Sequence, residues 1–321
     1  MAHRRTPTSL SGILAIDKPE GMTSHDVVDT VRRLTGERRV GHAGTLDPLA
    51  TGLLLVCVGP ATRLSEYLMA GTKVYEARVC FGRETTTDDR EGETLRECEL
   101  PSQIGDTALA TEVLAGLIGE FEQLPPTYSA IKKEGVRAYK AARTGKALEL
   151  EPRPVELLDA QLLAVGEDYW DVQLTVSKGF YIRSFARDLG RVLDSAAHLT
   201  ALRRTASGNT SLETQPCVDL CTLAPTPCVP HDVGTTAPGR PLQTLPFIDP
   251  VTALGFPAIE ISAIEAQNVK NGRPLTLPPT TPPSKLISIV HKDHFLALYE
   301  TVGKSKLANP RVVIPGTIPR Q

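Results

Sequence analysis

Residues 41–52 read GHAGTLDPLATG and run straight into Leu53, Leu54, Leu55, Val56, Cys57 and Val58. Three glycines, one histidine and one aspartate share those twelve positions, and the stretch that follows is wholly apolar. A short continuous apolar run reads as a fully buried strand. A loop leading into it is therefore held by a rigid scaffold. Glycines at this density often cradle phosphates, but no Gly-Lys-Ser/Thr follows. Asp-Pro is also a common turn initiator. Three readings stand for Asp47: part of a phosphate loop, an acid tolerated in a turn, or a carboxylate presented to a ligand. Gly41, Gly44 and Gly52 allow backbone conformations that suit close approach to a ligand.

Outward from this loop the chain mixes helices and strands. SGILAIDKPEG (11–21) reads as a short buried strand ended by Pro19 and Gly21. TSHDVVDTVRRLTG (23–36) reads as a helix capped by Thr23 or Ser24, with Asp26 in its first turn and Gly36 at its end. Val27, Val28, Val31 and Leu34 form its apolar face. ATRLSEYLMAG (61–71) is expected to be helical, and KVYEARVCFG (73–82) alternates like a strand with one covered face. A helix is expected over 107–118, then a short strand, a turn and a basic helix in PPTYSAIKKEGVRAYKAARTGK (125–146). VELLDAQLLAV (155–165) and YWDVQLTVS (169–177) read as paired strands. Ile182, Phe185, Leu189 and Val192 give helical spacing over 182–194, and LTALRRTASG (199–208) is a strand. No regular βαβ repeat is present, so the expected class is α+β rather than doubly wound. Residues 213–246 are rich in proline, threonine and cysteine and read as a linker or irregular segment. From residue 247 onward AIEIS, KLISIVH, HFLALYE and RVVIP suggest a small β-rich appended domain.

Composition narrows the function classes. The 321 residues, 41% of them hydrophobic, can build one large domain or a large and a small one. GLLLVCVG is far too short to span a bilayer, and the basic N-terminus lacks the apolar core of a signal peptide. A soluble cytoplasmic protein is expected. The net charge of −2 hides a polarised distribution. Residues 84–120 carry ten acids and two bases, whereas 130–149 and 174–204 each carry six bases and two acids. Such basic segments suit nucleic acid, or are solvated helix faces. Cys217, Cys221, Cys228 and His231 lie within fifteen residues, but their spacings are irregular and no Cys-x-x-Cys knuckle is present. Loop cysteines in a reducing compartment are the expectation.

No Asp-x-Asp nucleophile motif, His-Glu-x-x-His, Gly-x-Ser-x-Gly or dinucleotide fingerprint occurs. SKGFYIRSFARDLG (177–190) instead places Tyr181 and Arg183 near a helix start, where both the helix end and Arg183 favour an anion. A core tyrosine and a surface arginine remain the alternative there.

Seven blocks together resemble the bacterial tRNA pseudouridine-55 synthase (TruB) family. They are LAIDKPEGMTSHDVV (14–28), GHAGTLDPLATGLL (41–54), KVYEARVCFG (73–82), TTTDDREG (85–92), PPTYSAIKKEGVRAY (125–139), SKGFYIRS (177–184) and LRRTASG (202–208). They match in order across about residues 10–212, and VKNGRPLTL (269–277) weakly resembles the family's RNA-binding PUA-like tail. The resemblance implies a pseudouridine synthase fold: a mixed, mainly antiparallel catalytic sheet over 1–212 with a basic RNA-binding insertion at about 124–152. A Pro-rich segment at 213–246, which the family does not lead one to expect, and a small β-rich PUA-like domain at 247–321 would follow.

The implied reaction isomerises a T-loop uridine of tRNA. The base is detached, turned and rejoined through carbon 5, so no cofactor or metal is required. Asp47 matches the family's essential aspartate, which either adds to the sugar or assists elimination to a glycal. A buried carboxylate keeps its charge beside a fixed cation, and Arg183 matches the arginine that pairs with it. Tyr75 matches the tyrosine that stacks on the base and can take the carbon-5 proton. Tyr181 and Leu202 match residues lining the base pocket, and Asp89 an acid near the site. The uridine must be flipped out, and His42 matches the histidine that inserts into the T-loop. Lys18, Lys132 and the basic segment 130–149 would hold the T-arm backbone.

The expected partner is the tRNA T-arm, with no membrane and no obligatory protein partner, and the chain is expected to be a monomer. A tRNA-folding chaperone with secondary or no catalysis is the alternative, against which Asp47, Tyr75 and Arg183 stand together. A guide-RNA-dependent relative acting on ribosomal RNA would need partner-binding extensions, and the short N-terminus offers little of that kind.

Overall fold

The computed structural model describes residues 10–128, 150–220, 245–301 and 306–320, and the backbone of 132–133 and 136–137. The chain divides into two compact units, Met1–Gly71 with Ala206–Gln321, and Thr72–Thr205.

The first unit begins with β1 (Gly12–Lys18), α1 (Ser24–Thr35), β2 (Val40–His42) and β3 (Thr51–Val58). β1 runs antiparallel to β3 from Gly12↔Val58 to Lys18↔Gly52, and β2 pairs antiparallel with β3 through His42↔Val56. β3 is buried at every position from Gly52 to Val58, as its unbroken apolar run requires. α1 is closed by a capping box between Thr23 and Asp26 and stopped by Gly36 at φ 67°. Each device satisfies backbone groups that the helix ends leave open. Val27, Val28 and Val31 are buried as expected, while Leu34 is only partly so.

Residues 61–71 are only partly α-helical. Gly59–Leu64 is a 3₁₀ turn with Pro60 in its first positions, and the α-helix proper, α2, covers Ser65–Ala70. Residues 213–246 open with order, since β14 (Cys217–Asp219) pairs parallel with β1 through Ala15↔Cys217. Cys221, Cys228 and His231 lie outside the described residues.

The four expected C-terminal strands all form. β16 (Ala258–Glu260), β18 (Leu286–His291), β19 (His294–Thr301), β20 (Leu307–Pro319) and β17 (Leu275–Thr276) make a five-stranded sheet in that order. Two helices accompany them that periodicity did not show: α5 (Pro250–Leu254) and α6 (Ala263–Lys270). Both carry legible caps, Asp249 before Pro250 and the Ser262–Glu265 capping box, but too few turns for a periodic signal. Ile13, Leu53, Leu55, Leu64 and Leu68 share one apolar core with Phe295, Leu298, Ile314 and Ile318.

The second unit is built on β4 (Lys73–Phe81), β7 (Gly119–Gln123), β10 (Arg153–Val165), β11 (Tyr169–Val176) and β12 (Ala197–Ser207), the last of which ends in the first unit. Their order is β12-β4-β11-β10-β7, antiparallel from β4 to β7. β4 alternates buried and half-buried residues along its whole length, so the expected one-face burial is observed. A hairpin of β5 (Arg83–Thr85) and β6 (Thr94–Glu97) follows β4, and α3 (Thr107–Gly116) is capped by Asp106. β8 (Lys132–Lys133) and β9 (Val136–Arg137) pair antiparallel, and the expected basic helix beyond them lies outside the described residues. α4 covers Ile182–Val192 and buries Ile182, Phe185 and Leu189, but Val192 at its end is 55% exposed. Trp170 is fully buried, edge-on to Phe81, with its indole N–H on the Ile104 carbonyl. The class is α+β, with a large, mainly antiparallel sheet and a separate small β sheet. No helix among the described residues is long and apolar enough to cross a membrane.

Candidate active site

In the first unit, the Asp47 loop connects β2 to β3 and is held on both sides of the aspartate. Before it, the Leu46 amide donates to Ser24 Oγ at 2.8 Å, and that hydroxyl donates to the Leu46 carbonyl at 3.0 Å. Ser24 is free for this because Thr23 caps the helix. After it, the Pro48 carbonyl accepts from the Gly21 amide at 2.8 Å and from Lys18 Nζ at 3.3 Å. The Ala50 amide closes a turn on the Asp47 carbonyl at 3.1 Å. Gly44 at φ 105° and Gly52 at φ 98° occupy conformations that an L side chain strains to adopt, so glycine is required there. Asp47 and His42 are half-buried.

Lys18 departs from the expected contact with the RNA backbone. It is 0% exposed, and its ammonium donates to the carbonyls of Pro19, Met22 and Pro48. A buried ammonium does not reach a phosphate chain; this one ties the end of β1 to the Asp47 loop. In Lys18→Met those carbonyls lose a donor, at about 1–3 kcal/mol for each buried group left unsatisfied. For the tRNA uridine isomerisation that the sequence resemblance implies, the rate is expected to fall about tenfold or more, while the salt dependence of tRNA affinity stays unchanged. Filter binding at low and high salt checks this, because a lost phosphate contact lowers the salt slope by about one.

In the second unit, Tyr75 points to the buried face of β4, 9% exposed and opposite Leu174 of β11. Lys73 shares that face two residues earlier. Burial pushes its ammonium down to about 8, and the nearby charges of Arg204 and Lys178 add to the effect. Leu202, 8% exposed, lies on β12, the strand beside β4. Tyr181 precedes α4, and its amide and carbonyl are clasped by the Gln123 side chain at 2.8 and 3.1 Å. Arg183 sits in the first turn of α4, 6% exposed. Its guanidinium donates to the carbonyls of Thr87 and Tyr128, both at 3.0 Å, and lies 3.5 Å from an Asp89 oxygen. Asp89 is itself held by the Thr87 hydroxyl at 2.6 Å and the Glu91 amide at 3.0 Å. Arg183 and Asp89, 94 positions apart in the sequence, are thus brought together. Lys132 lies on β8 opposite Arg137, and its side chain is outside the described residues.

Gln123, Thr87 and Tyr128 were not singled out by sequence, and Ser24 only as a possible helix cap. All four act through the backbone or on it, and Gln123 lies in a strand with no motif around it.

A model of the N-terminal domain of TruB family pseudouridylate synthases matches residues 32–182. Over 84% of its length the chain is 43% identical to the tRNA pseudouridine synthase B of Mycobacteroides abscessus, of which it covers 86%. It is 39% identical to the protein of the same name from Nocardia farcinica, with 98% of each chain aligned. The chain belongs to the TruB family. The TruB family match spans Asp47, Tyr75, Asp89 and Tyr181 and ends one residue before Arg183. Among solved structures, an H/ACA RNP bound to a substrate RNA containing 2′-deoxyuridine aligns with a TM-score of 0.67 at 21% identity, covering 95% of this chain and 86% of that one. A Cbf5–Nop10–Gar1 complex aligns with a TM-score of 0.66 at 22% identity, covering 96% and 85%. At such identities the likeness shows the fold, and the expected pseudouridine synthase fold with a β-rich, PUA-like tail is borne out.

Proposed function

We propose that this TruB family enzyme converts the T-loop uridine at tRNA position 55 to pseudouridine, with Asp47 as the acting carboxylate. An isomerase acting on tRNA uridine is what family membership implies. The observation that supports Asp47 most directly is its loop. Ser24 fixes the residue before it, and Gly21 and Lys18 fix the residue after it. A turn that only punctuates the chain has no need of a buried lysine and a helix serine. A carboxylate that must meet one ribose within a fraction of an ångström does.

In this reading Asp47 adds to the sugar or assists loss of the base, Tyr75 stacks on the base and takes the carbon-5 proton, and Arg183 compensates carboxylate charge. Tyr181 and Leu202 line the base pocket, and Asp89 orients Arg183 through the 3.5 Å contact. A uridine stacked in folded tRNA must leave its stack first, and His42 fills the space it vacates. Lys132 and the basic segment around it hold the T-arm backbone without reading sequence. The bound base needs isomerisation alone, so the chemistry calls on no cofactor.

The test is to incubate the purified protein with an unmodified tRNA transcript and map pseudouridine along it. One modified site in the T-loop is the expected result. No pseudouridine despite tRNA binding would favour a folding chaperone, and modification elsewhere would overturn the position.

A further inference from the structure

α4 presents Arg183 and Arg187 one turn apart, on the same side of the helix. Each arginine grips the same two segments. Arg183 holds the Thr87 and Tyr128 carbonyls. Arg187 donates to Asp88 Oδ2 at 2.9 Å and to the Leu124 carbonyl at 3.0 Å, and Ser184 between them donates to the same carbonyl at 2.8 Å. Asp88 therefore lies between Thr87 and Asp89, the two partners of Arg183 in this loop. Its backbone is set apart as well: it is left-handed at φ 59°, and its carbonyl accepts from the Leu199 amide of β12 at 3.0 Å. Asp88 is 7% and Arg187 6% exposed.

We infer that Asp88 and Arg187 are positioning residues for the reaction: their ion pair locks the 87–89 loop to α4 and so sets the guanidinium of Arg183. The inference rests on the proposed role of Arg183. Neither residue touches the substrate; they act through Thr87 and Asp89.

The charged groups facing Asp88 are Arg187, Arg183 and Asp188 from α4 and Glu84 from β5, with Asp89 beside it in the loop. β12 contributes the apolar Leu199, and the 124–128 segment contributes a carbonyl. Burial pushes the Asp88 carboxyl up to about 6, against the pull of Arg187 and then Arg183, with Glu84 and Asp188 adding to the rise. Above that pH Asp88 is ionised and the pair is formed; below it the carboxyl is neutral and the hold on Arg187 weakens.

The experiment is single-turnover pseudouridine formation on a tRNA transcript, at saturating enzyme, from about pH 5 to about pH 9. Wild type, Asp88→Asn and Arg187→Lys are compared, and asparagine tolerates the left-handed backbone of position 88. The wild-type rate is expected to fall as pH drops through about 6. Asp88→Asn is expected to be about tenfold slower at high pH, with no limb near 6 and with tRNA affinity within about twofold. Arg187→Lys, which keeps the charge but loses the two-way fork, is expected to be slower by a similar factor. Near-ultraviolet circular dichroism of each variant at the assay temperature separates misplacement from unfolding. If Asp88→Asn does not fold, the Arg187→Lys profile decides alone. A folded Asp88→Asn enzyme with the wild-type rate, or one that keeps the acid limb, overturns the inference. A wild-type protein that forms no pseudouridine sinks the proposed function and this inference with it, whereas an active wild type with unchanged variants sinks only the latter.

Discussion

In Asp47→Asn, pseudouridine formation is expected to fall by at least about 10³-fold, while tRNA affinity stays within about twofold. The amide is nearly isosteric with the carboxylate but is neither nucleophile nor base, so both routes open to Asp47 are closed. The loop itself is held by Leu46 and Pro48 backbone groups that the substitution leaves in place. Binding and chemistry are therefore separable at this position. At about 1.4 kcal/mol per factor of ten, the loss corresponds to at least about 4 kcal/mol of transition-state stabilisation. Tritium release from carbon-5-labelled uridine in a tRNA transcript measures the chemistry, and filter binding measures the affinity. A variant that still releases tritium at a tenth of the wild-type rate would remove Asp47 from the chemistry.

The second large effect is expected at Arg183, where stability and activity are both engaged. Its side chain is 7% exposed, that of Asp89 is 5% exposed, and the guanidinium also supplies donors to two carbonyls from separate loops. Arg183→Met leaves Asp89 as a buried carboxylate without its cation, which costs about 3–5 kcal/mol when one partner of a buried pair is removed. Denaturant unfolding of the variant is expected to show a loss of about that size. Arg183→Lys keeps the charge, but its compact ammonium does not span Thr87, Tyr128 and Asp89 as the planar fork does. Its turnover is expected to fall about 10²-fold with a much smaller loss of stability. Equal turnover in Arg183→Lys and wild type would mean that only the charge at this position matters.

Much of the frame was legible in the chain. β3 announces itself as an unbroken apolar run, β4 as an alternation, and α1 as a run of valines between Thr23 and Gly36. In each case the signal is local, because neighbouring residues share one strand face or one helix turn. Where an element is short the signal fails. α5 has five residues and α6 eight, too few to repeat a 3.6-residue period, although the Ser262–Glu265 capping box could have marked the second. Residues 61–71 read as one helix, whereas the chain from Gly59 to Leu64 tightens into a 3₁₀ turn before α2 begins.

The site divides along the same line. Asp47, Tyr75, Arg183, Tyr181, Leu202, Asp89 and His42 could be named as candidates from the motifs that carry the family resemblance, because each motif is a contiguous block of residue types. What holds them could not be named. Gln123 clasps Tyr181 across 58 positions, Arg187 meets Asp88 across 99, and Ser24 anchors Leu46 across 22. Lys18 shows why: a lysine in a sequence is a charge, and only the packed chain tells whether that charge faces water. The sequence by itself determined the family, the class of fold and the residue types available for the chemistry, since these depend on local pattern and on motifs in order. Tertiary structure alone decided that Lys18 is buried under the Asp47 loop and that Arg183 and Arg187 bind the 87–89 and 124–128 segments to one helix. Those outcomes depend on which distant polar groups lose water together, and burial forces them to find each other.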